Sequence, residues 1–140
     1  MNYQREKLIR FQHCDPAGIV FYPRYMGLLN EVVEDWFSEG VGIGFPELHD
    51  RLRLGVPTAR LECDFLKPSR HGEVLNFRLW ITKLGRTSID VSVRADCGDQ
   101  PRLRARLLLV LLDLDSYRSV PLDEGWRQRF EPFVDNIPRP

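Results

Sequence analysis

The residues best suited to chemistry are concentrated in one stretch, His13-Cys14-Asp15-Pro16-Ala17-Gly18, just before a predicted helix. Asp15 lies in a turn that contains proline and glycine and has apolar residues on both sides. Pro23 suits the first turn of a helix, where its missing N–H is not needed. Unpaired N–H groups and the positive end of the helix dipole point out of such a terminus. A carboxylate beside these groups predicts a hydrolytic site, where a carbonyl oxygen that gains negative charge is stabilised.

Other chemistries are conceivable at the same stretch. Asp15 could simply cap the turn or the helix, as aspartate often does. A Cys14 nucleophile with His13 as its base is disfavoured, because adjacent residues of an extended segment point to opposite sides. A metal site would draw on His13, Cys14, Asp15, His49, Cys63, His71 and Cys97. No two of these show the short spacings that structural zinc sites favour, so we expect no metal.

The turn is followed by a helical pattern over about residues 22–39. Its apolar positions recur at helical spacing and are Tyr25, Leu28, Leu29, Val32, Val33, Trp36 and Phe37. Gly40 is the predicted stop. Four acids, Glu31, Glu34, Asp35 and Glu39, form the polar face of this helix and are interpreted as a solvated surface.

Strand patterns surround the helix. Residues 3–12 predict a first strand, and 40–55 a glycine-containing loop with one helical turn near 47–52. Period-2 alternation predicts strands over 56–66, 73–83 and 87–96, with a turn at 97–101 and a last strand over about 102–114. A short helix is expected around 123–130, with a flexible tail over about 132–140. One long helix among antiparallel strands indicates the α+β class.

Length and composition indicate one domain over residues 1–140. Twenty lysines and arginines balance twenty aspartates and glutamates, which argues against a nucleic-acid partner. The longest purely apolar run, 107–112, is too short to span a membrane. No secretory signal is visible at the N-terminus. Three cysteines in no framework spacing predict reduced thiols and a cytoplasmic location.

The segment Asp15-Pro16-Ala17-Gly18-Ile19-Val20, followed by Tyr22-Pro23 and Tyr25, resembles the active-site segment of the 4-hydroxybenzoyl-CoA thioesterases, a branch of the hotdog-fold acyl-CoA thioesterase superfamily. Many relatives outside this branch have histidine at the position of Tyr22. The resemblance implies a hotdog fold, an antiparallel sheet of about five strands wrapped around one long central helix. It also implies a homodimer or homotetramer with active sites between protomers, and a small-molecule acyl-CoA substrate.

The same resemblance implies roles for individual residues. Asp15 would be the nucleophile or the general base; the sequence leaves both open. The backbone N–H of Tyr22 would stabilise the oxyanion, and Gly18 would let the turn approach the acyl group. A second branch of the fold uses a helix carboxylate, which here would be Glu31 or Glu34. Asp15 lies nearer the helix start and is preferred.

Residues 83–88 predict a tight basic turn between two strands, and the resemblance implies that it holds the nucleotide end of CoA through Lys83, Arg86 and Ser88. Arg118 is a further candidate for a phosphate. Arg102, Arg104 and Arg106 share one strand face and either line a groove or keep a sheet face soluble. The acyl pocket is assigned to Phe21, Tyr22, Tyr25 and the loop 42–45.

The predicted activity is hydrolysis of an acyl-CoA whose acyl group is small and aromatic, hydroxybenzoyl-like, or a short to medium chain. No cofactor is expected, since coenzyme A is part of the substrate. Two alternatives remain open: a thioesterase acting on acyl carrier protein, and a non-catalytic module that binds acyl thioesters.

Overall fold

The computed structural model describes residues 2–135. Strand β1 is Tyr3–Leu8, and helix α1 is Tyr22–Trp36. Two short strands are β2, Leu54–Gly55, and β7, Leu112–Asp113. The long strands are β3, Thr58–Phe65; β4, Val74–Leu84; β5, Ser88–Cys97; and β6, Gln100–Val110. Helix α2 is Glu124–Phe130.

Five strands form one antiparallel sheet in the order β1-β4-β5-β6-β3. Leu8 pairs with Val74 at one end of the sheet, and Phe65 pairs with Leu103 at the same end. Thr58 and Ser88 lie at the other end, where they pair with Leu109 and Val110. This end-to-end layout decides which candidate residues can meet within one protomer.

Alternating apolar residues of β4 and β5 cover one face of the sheet and meet α1. The residues Leu75, Phe77, Leu79, Ile81, Ile89, Val91, Val93 and Ala95 are essentially inaccessible to solvent. The apolar stripe of α1 packs against them, and Trp36 at its end is fully buried. Burial of this stripe holds the helix on the sheet. The predicted strands, helix and α+β class are therefore confirmed.

The end of the long helix differs from the prediction. After Trp36 the chain continues as a π-helical turn, Phe37–Val41, and Gly42 with φ of 87° closes it. Gly40 is not the stop. A Cβ atom at Gly40 would lie 2.8 Å from a ring atom of Phe133 and 2.8 Å from one of Trp36. Gly40 is therefore needed for close packing, and Gly42 for the left-handed backbone that ends helices.

The first and the last of the predicted strands also differ from prediction. The first strand ends at Leu8, and Phe11–His13 form a single 3-10 turn. The last strand breaks after Val110, and β7 pairs with β2 in a separate two-stranded sheet. Neither short strand has a period-2 pattern long enough to be recognised in sequence.

The C-terminal helix is confirmed. The Asp123 side chain caps it by accepting from the N–H of Trp126 at 2.9 Å. Part of the predicted tail is packed, because Phe133 is buried and the Asp135 N–H donates to the Ile81 carbonyl at 2.8 Å. Residues 136–140 lie outside the described residues.

The three arginines of β6 have different surroundings. Arg104 and Arg106 are exposed, and Arg106 pairs with Asp90 at 3.0 Å. Arg102 is buried and pairs with Glu73. Arg102 therefore neither lines an open groove nor solubilises the sheet.

Candidate active site

Residues 13–21, here called the Asp15 hairpin, fold back on themselves just before α1. The Phe21 N–H donates to the His13 carbonyl at 2.9 Å, and the Asp15 N–H donates to the Ile19 carbonyl at 3.0 Å. The Gly18 N–H donates to the Asp15 carbonyl at 2.9 Å and closes the turn. Gly18 has φ of 82°, which L-residues rarely adopt. The hairpin therefore holds Asp15 beside the arm that leads into the helix.

The carboxyl group of Asp15 is half-buried. Its Oδ1 accepts from the Ala17 N–H at 2.8 Å, so the turn-capping contact considered as the alternative role is present. Among residues 2–135, its second oxygen has no hydrogen-bond or ion-pair partner. One oxygen thus fixes the side chain, and the other is available to a ligand or a water.

The first turn of α1 offers one free backbone donor. Pro23 has no N–H, and the Arg24 N–H donates to the Phe21 carbonyl at 2.8 Å. In the part of the chain that the structure describes, the Tyr22 N–H has no acceptor. The helix dipole adds partial positive charge at this position. The sequence-predicted donor is therefore present and unused.

Aromatic side chains surround the helix start. Tyr25 is buried, and its ring centre lies 5.7 Å from that of Phe65. Tyr22 is exposed, with its ring centre 6.0 Å from that of Phe65. These three residues help line a cavity of about 200 Å³. Phe21 is also exposed and contacts Tyr22, but it does not line this cavity.

A larger cavity of about 630 Å³ lies further along α1, on the side of β3. It begins at Met26, about one helical turn beyond Tyr22. Its wall is mainly aliphatic, with Phe45 from the predicted acyl-pocket loop. Its polar lining residues include Asn30, Glu34, His49 and Thr58. A mainly apolar cavity of this size with few polar groups is typical of small-molecule sites.

The predicted CoA-binding turn lies at the opposite end of the sheet from Asp15. Lys83 and Arg86 are exposed and, within residues 2–135, form no ion pair. Ser88 is half-buried, and its carbonyl accepts from the Gly85 N–H at 2.8 Å. The eleven residues of β4 separate this turn from the Asp15 end by about 30 Å. One protomer therefore does not bring the two groups together.

Arg118 is exposed beside β7. Its carbonyl accepts from the Asp113 N–H at 2.8 Å, and its own N–H donates to the Ser116 hydroxyl at 3.3 Å. These contacts fix the backbone of the bend after β7. Because Leu112 of β7 follows closely on Val110, Arg118 belongs to the same end of the molecule as the basic turn.

Sequence reasoning missed the loop between β3 and β4, residues 66–73. The Val20 N–H donates to the Ser69 carbonyl at 2.8 Å, and Ile19 forms a β-bridge with Arg70. A guanidinium nitrogen of Arg70 lies 3.9 Å from the position that a Cβ would occupy on Gly18. A Pro-Ser-Arg-His-Gly sequence reads only as a loop, so no local pattern signalled this contact.

The titratable groups near the Asp15 hairpin do not form an alternative catalytic pair. Burial lowers the pKa of His13, whose Nδ1 accepts from the Arg10 N–H at 2.8 Å. The thiol of Cys14 lies 3.8 Å from the Arg10 carbonyl. All three cysteines are free thiols, as predicted, and burial raises the pKa of Cys63 to about 11.

No group of three histidine, cysteine, aspartate or glutamate side chains within residues 2–135 is placed to hold a metal ion. In the same range, no helix combines the length and the apolar character needed to cross a membrane.

Comparison with known proteins places this geometry in a family. A 1,4-dihydroxy-2-naphthoyl-CoA hydrolase of Synechococcus elongatus is 28% identical over 124 residues, which cover 88% of this chain and 90% of that protein. A thioesterase-superfamily crystal structure from Jannaschia superposes with a TM-score of 0.88 at 25% identity, covering 95% of this chain and 93% of the other. A Staphylococcus aureus protein solved in complex with CoA superposes with a TM-score of 0.87 at 14% identity, covering 100% and 90%. The hotdog fold is thereby confirmed. Residues 9–130 match the family model described as "Thioesterase-like superfamily". The chain therefore belongs to this family of thioester hydrolases.

Proposed function

We propose that this protein hydrolyses the thioester bond of an aromatic acyl-CoA, with Asp15 as the catalytic carboxylate and the Tyr22 N–H as the oxyanion donor. The proposal rests on two unpaired groups: the second carboxylate oxygen of Asp15, and the N–H of Tyr22, the residue that directly follows the Asp15 hairpin. Water is the second substrate, and the reaction needs no cofactor. The three free thiols agree with a reducing cytoplasm.

Asp15 has two routes open to it. As general base it takes a proton from water while the water oxygen bonds to the thioester carbon. The carbonyl then re-forms as the C–S bond breaks, and the departing CoA thiolate takes the proton from Asp15. As nucleophile it forms a mixed anhydride and releases CoA thiolate, and water then opens the anhydride. In both routes the carbonyl oxygen becomes negative and accepts from the Tyr22 N–H. Loss of one such donor typically costs about 3–4 kcal/mol at the transition state.

The acyl group is proposed to be a hydroxylated aromatic ring. The Synechococcus relative acts on a dihydroxynaphthoyl-CoA. The cavity that starts at Met26 is large enough for a ring system, and Asn30 and Thr58 are polar groups for ring hydroxyls. Tyr25 and Phe65 would form the aromatic wall nearest the thioester.

The working unit is proposed to be a homodimer in which two copies of β3 pair edge to edge. β3 is an edge strand of eight residues, and its Leu61 and Phe65 are 41% and 47% exposed. An edge strand of this length has backbone N–H and C=O groups that can pair with the strand of another chain. A twofold axis makes the paired edges antiparallel, so the Thr58 end of one protomer lies beside the Phe65 end of its partner. Lys83, Arg86, Ser88 and Arg118 of one protomer would then serve the Asp15 site of the other.

A carrier-protein thioesterase is the second candidate. The separation of the basic turn from Asp15 favours it if the protein is monomeric, since no cation of that turn then reaches a CoA bound at Asp15. Under this alternative, Lys83→Ala and Arg86→Ala would leave the KM for acyl-CoA unchanged. Under the leading proposal, both substitutions raise the KM for acyl-CoA.

The test is release of free thiol from benzoyl-, hydroxybenzoyl-, hydroxynaphthoyl-, phenylacetyl- and straight-chain acyl-CoAs. We expect the hydroxylated aromatic thioesters to give the highest kcat/KM. Asp15→Asn tests the catalytic carboxylate without disturbing the turn, because an asparagine oxygen can still accept from the Ala17 N–H. We expect its kcat to fall by about 10²–10⁴-fold. A folded Asp15→Asn protein with wild-type turnover would remove Asp15 from the mechanism, and binding without turnover of any thioester would support a non-catalytic module.

A further inference from the structure

Arg102 of β6 is a buried side chain outside the proposed site, and its guanidinium group donates several hydrogen bonds. Its side chain is 8% exposed. Its Nη1 donates to Glu73 Oε1 at 2.9 Å, and its Nη2 donates to Glu73 Oε2 at 2.8 Å. Its Nε donates to the Gln100 side chain at 2.8 Å. This is a bidentate pair, the strongest geometry available to an arginine and a carboxylate.

Arg102 also binds the 66–73 loop from within. Nη1 donates to the Pro68 carbonyl at 2.9 Å and to the hydroxyl of the fully buried Ser69 at 3.1 Å. The backbone carbonyl of Arg102 accepts from the Leu66 N–H at 2.9 Å. Glu73 completes the contact by accepting from the Arg70 N–H at 2.7 Å. Both ends of the loop are thus fixed to Arg102, the Leu66 end through its backbone carbonyl and the Glu73 end through its guanidinium group. Arg102 and Glu73 together are here called the Arg102 clasp.

The loop held by the clasp is the support of the Asp15 hairpin. The Ser69 carbonyl accepts from the Val20 N–H, and Arg70 bridges Ile19, the residue whose carbonyl binds the Asp15 N–H. Burial raises the pKa of the Tyr25 hydroxyl in the first turn of α1, and the positive charge of Arg102 opposes that rise. The clasp therefore acts on the Asp15 hairpin through the 66–73 loop.

We propose that Arg102, oriented by Glu73, is a positioning residue that sets the Asp15 carboxyl relative to the Tyr22 N–H through the 66–73 loop. Arg102 does not touch the substrate. A lysine at this position keeps the charge and can reach one oxygen of Glu73, but it cannot also hold Pro68 and Ser69 in a planar fork. The inference rests on the proposed function, because it assigns Arg102 a part in that reaction.

The test compares Arg102→Lys with Arg78→Lys. Arg78 donates to the buried Asp96 at 2.7 Å, so it is a similar arginine–carboxylate pair on the same sheet. No hydrogen bond of Arg78 reaches the 66–73 loop among residues 2–135. We expect Arg102→Lys to lower kcat by about 10–100-fold with KM within about twofold, since misplacing reacting groups by an ångström costs about this much. Arg78→Lys should keep kcat within about twofold of wild type.

A second readout separates positioning from general destabilisation. In Arg102→Lys, amide hydrogen exchange at Val20 should accelerate by about tenfold or more, while exchange at Leu79 and Val91 in the central strands keeps its wild-type rate. If Arg102→Lys fails to fold, Glu73→Gln is used in the same comparison. Wild-type kcat in a folded Arg102→Lys, a loss no larger than that of Arg78→Lys, or failure of both clasp variants to fold would overturn the inference. Failure of the proposed function looks different, because the wild-type protein would then turn over no thioester.

Discussion

At the scale of residues, the proposed site depends on groups that have been left without partners. Pro23 supplies no N–H and Arg24 uses its own on Phe21, so the Tyr22 N–H is the free donor among the first three helical positions. Asp15 likewise uses one oxygen for the turn and leaves the other open. Because both groups are fixed before any ligand arrives, little reorganisation is needed when charge develops on a thioester oxygen.

Glu73 gives a prediction of pH dependence. Its hydrogen bonds with Arg102, and next with the Arg70 N–H, lower its pKa from 4.5 to about 2. A carboxyl whose folded pKa is depressed stabilises the fold above its unfolded pKa, and this contribution is lost as pH falls from about 4.5 to about 2. Glu73→Gln should therefore be less stable than wild type at pH 7, by up to about 3 kcal/mol.

The measurement is urea unfolding of both proteins at pH 7, 4.5 and 2.5. The difference in free energy of unfolding between wild type and Glu73→Gln should be largest at pH 7 and should shrink across the two lower values. A difference that stays constant with pH would show that Glu73 contributes through shape and not through its charge.

At the scale of elements, the sequence was informative wherever burial repeats at a regular interval. Leu75, Phe77, Leu79 and Ile81 alternate along β4 because one face of that strand meets the helix, and alternation is visible in the sequence. Arg102, Arg104 and Arg106 occupy alternate positions of β6, yet Arg102 is buried while the other two are exposed. Its partner Glu73 is 29 positions away in sequence, so no local pattern reports the pair.

The parts of the candidate site likewise fall into those that a local sequence pattern can predict and those that it cannot. The Asp15 turn and the start of α1 are neighbours in sequence, and turn and helix-start signals were sufficient to place them. The 66–73 loop and the cavity beyond Met26 are assembled from segments far apart in the chain. The pairing of β2 with β7 involves two residues on each side, too few for a periodic signal.

Two glycines of the long helical segment give opposite predictions. A Cβ on Gly40 would meet the Phe133 and Trp36 rings at 2.8 Å, whereas a Cβ on Gly27 would have no neighbour within 4 Å. Gly40→Ala should therefore lower the free energy of unfolding by about 1–3 kcal/mol through overpacking. Gly27→Ala should raise it by about 0.5–1 kcal/mol, since alanine favours the helix.

Thermal and urea unfolding of both variants check this pair. Gly27→Ala is the control for the effect of alanine itself within one helical segment. If Gly40→Ala were as stable as Gly27→Ala, the aromatic rings at the end of α1 would have to rearrange at no cost, and Gly40 would not be explained by packing.

At the scale of the whole molecule, the proposed chemistry needs more than one protomer. The Asp15 hairpin and the turn that carries Lys83 and Arg86 lie at opposite ends of β4, a strand about 30 Å long. Pairing of two β3 edges about a twofold axis reverses one protomer and brings unlike ends together. The same pairing would cover Leu61 and Phe65, which are otherwise exposed on a free edge.

This arrangement predicts that two defective proteins can repair each other. In a dimer of Asp15→Asn with Lys83→Ala/Arg86→Ala, one site would receive both defects and the other would be intact. Random pairing of equal amounts makes half of all dimers mixed, so co-expression should restore about a quarter of the wild-type kcat/KM, measured well below KM. If Asp15 used the basic turn of its own protomer, every site in the mixture would keep one defect. The activity would then equal the average of the two parent proteins, and the shared site would be refuted.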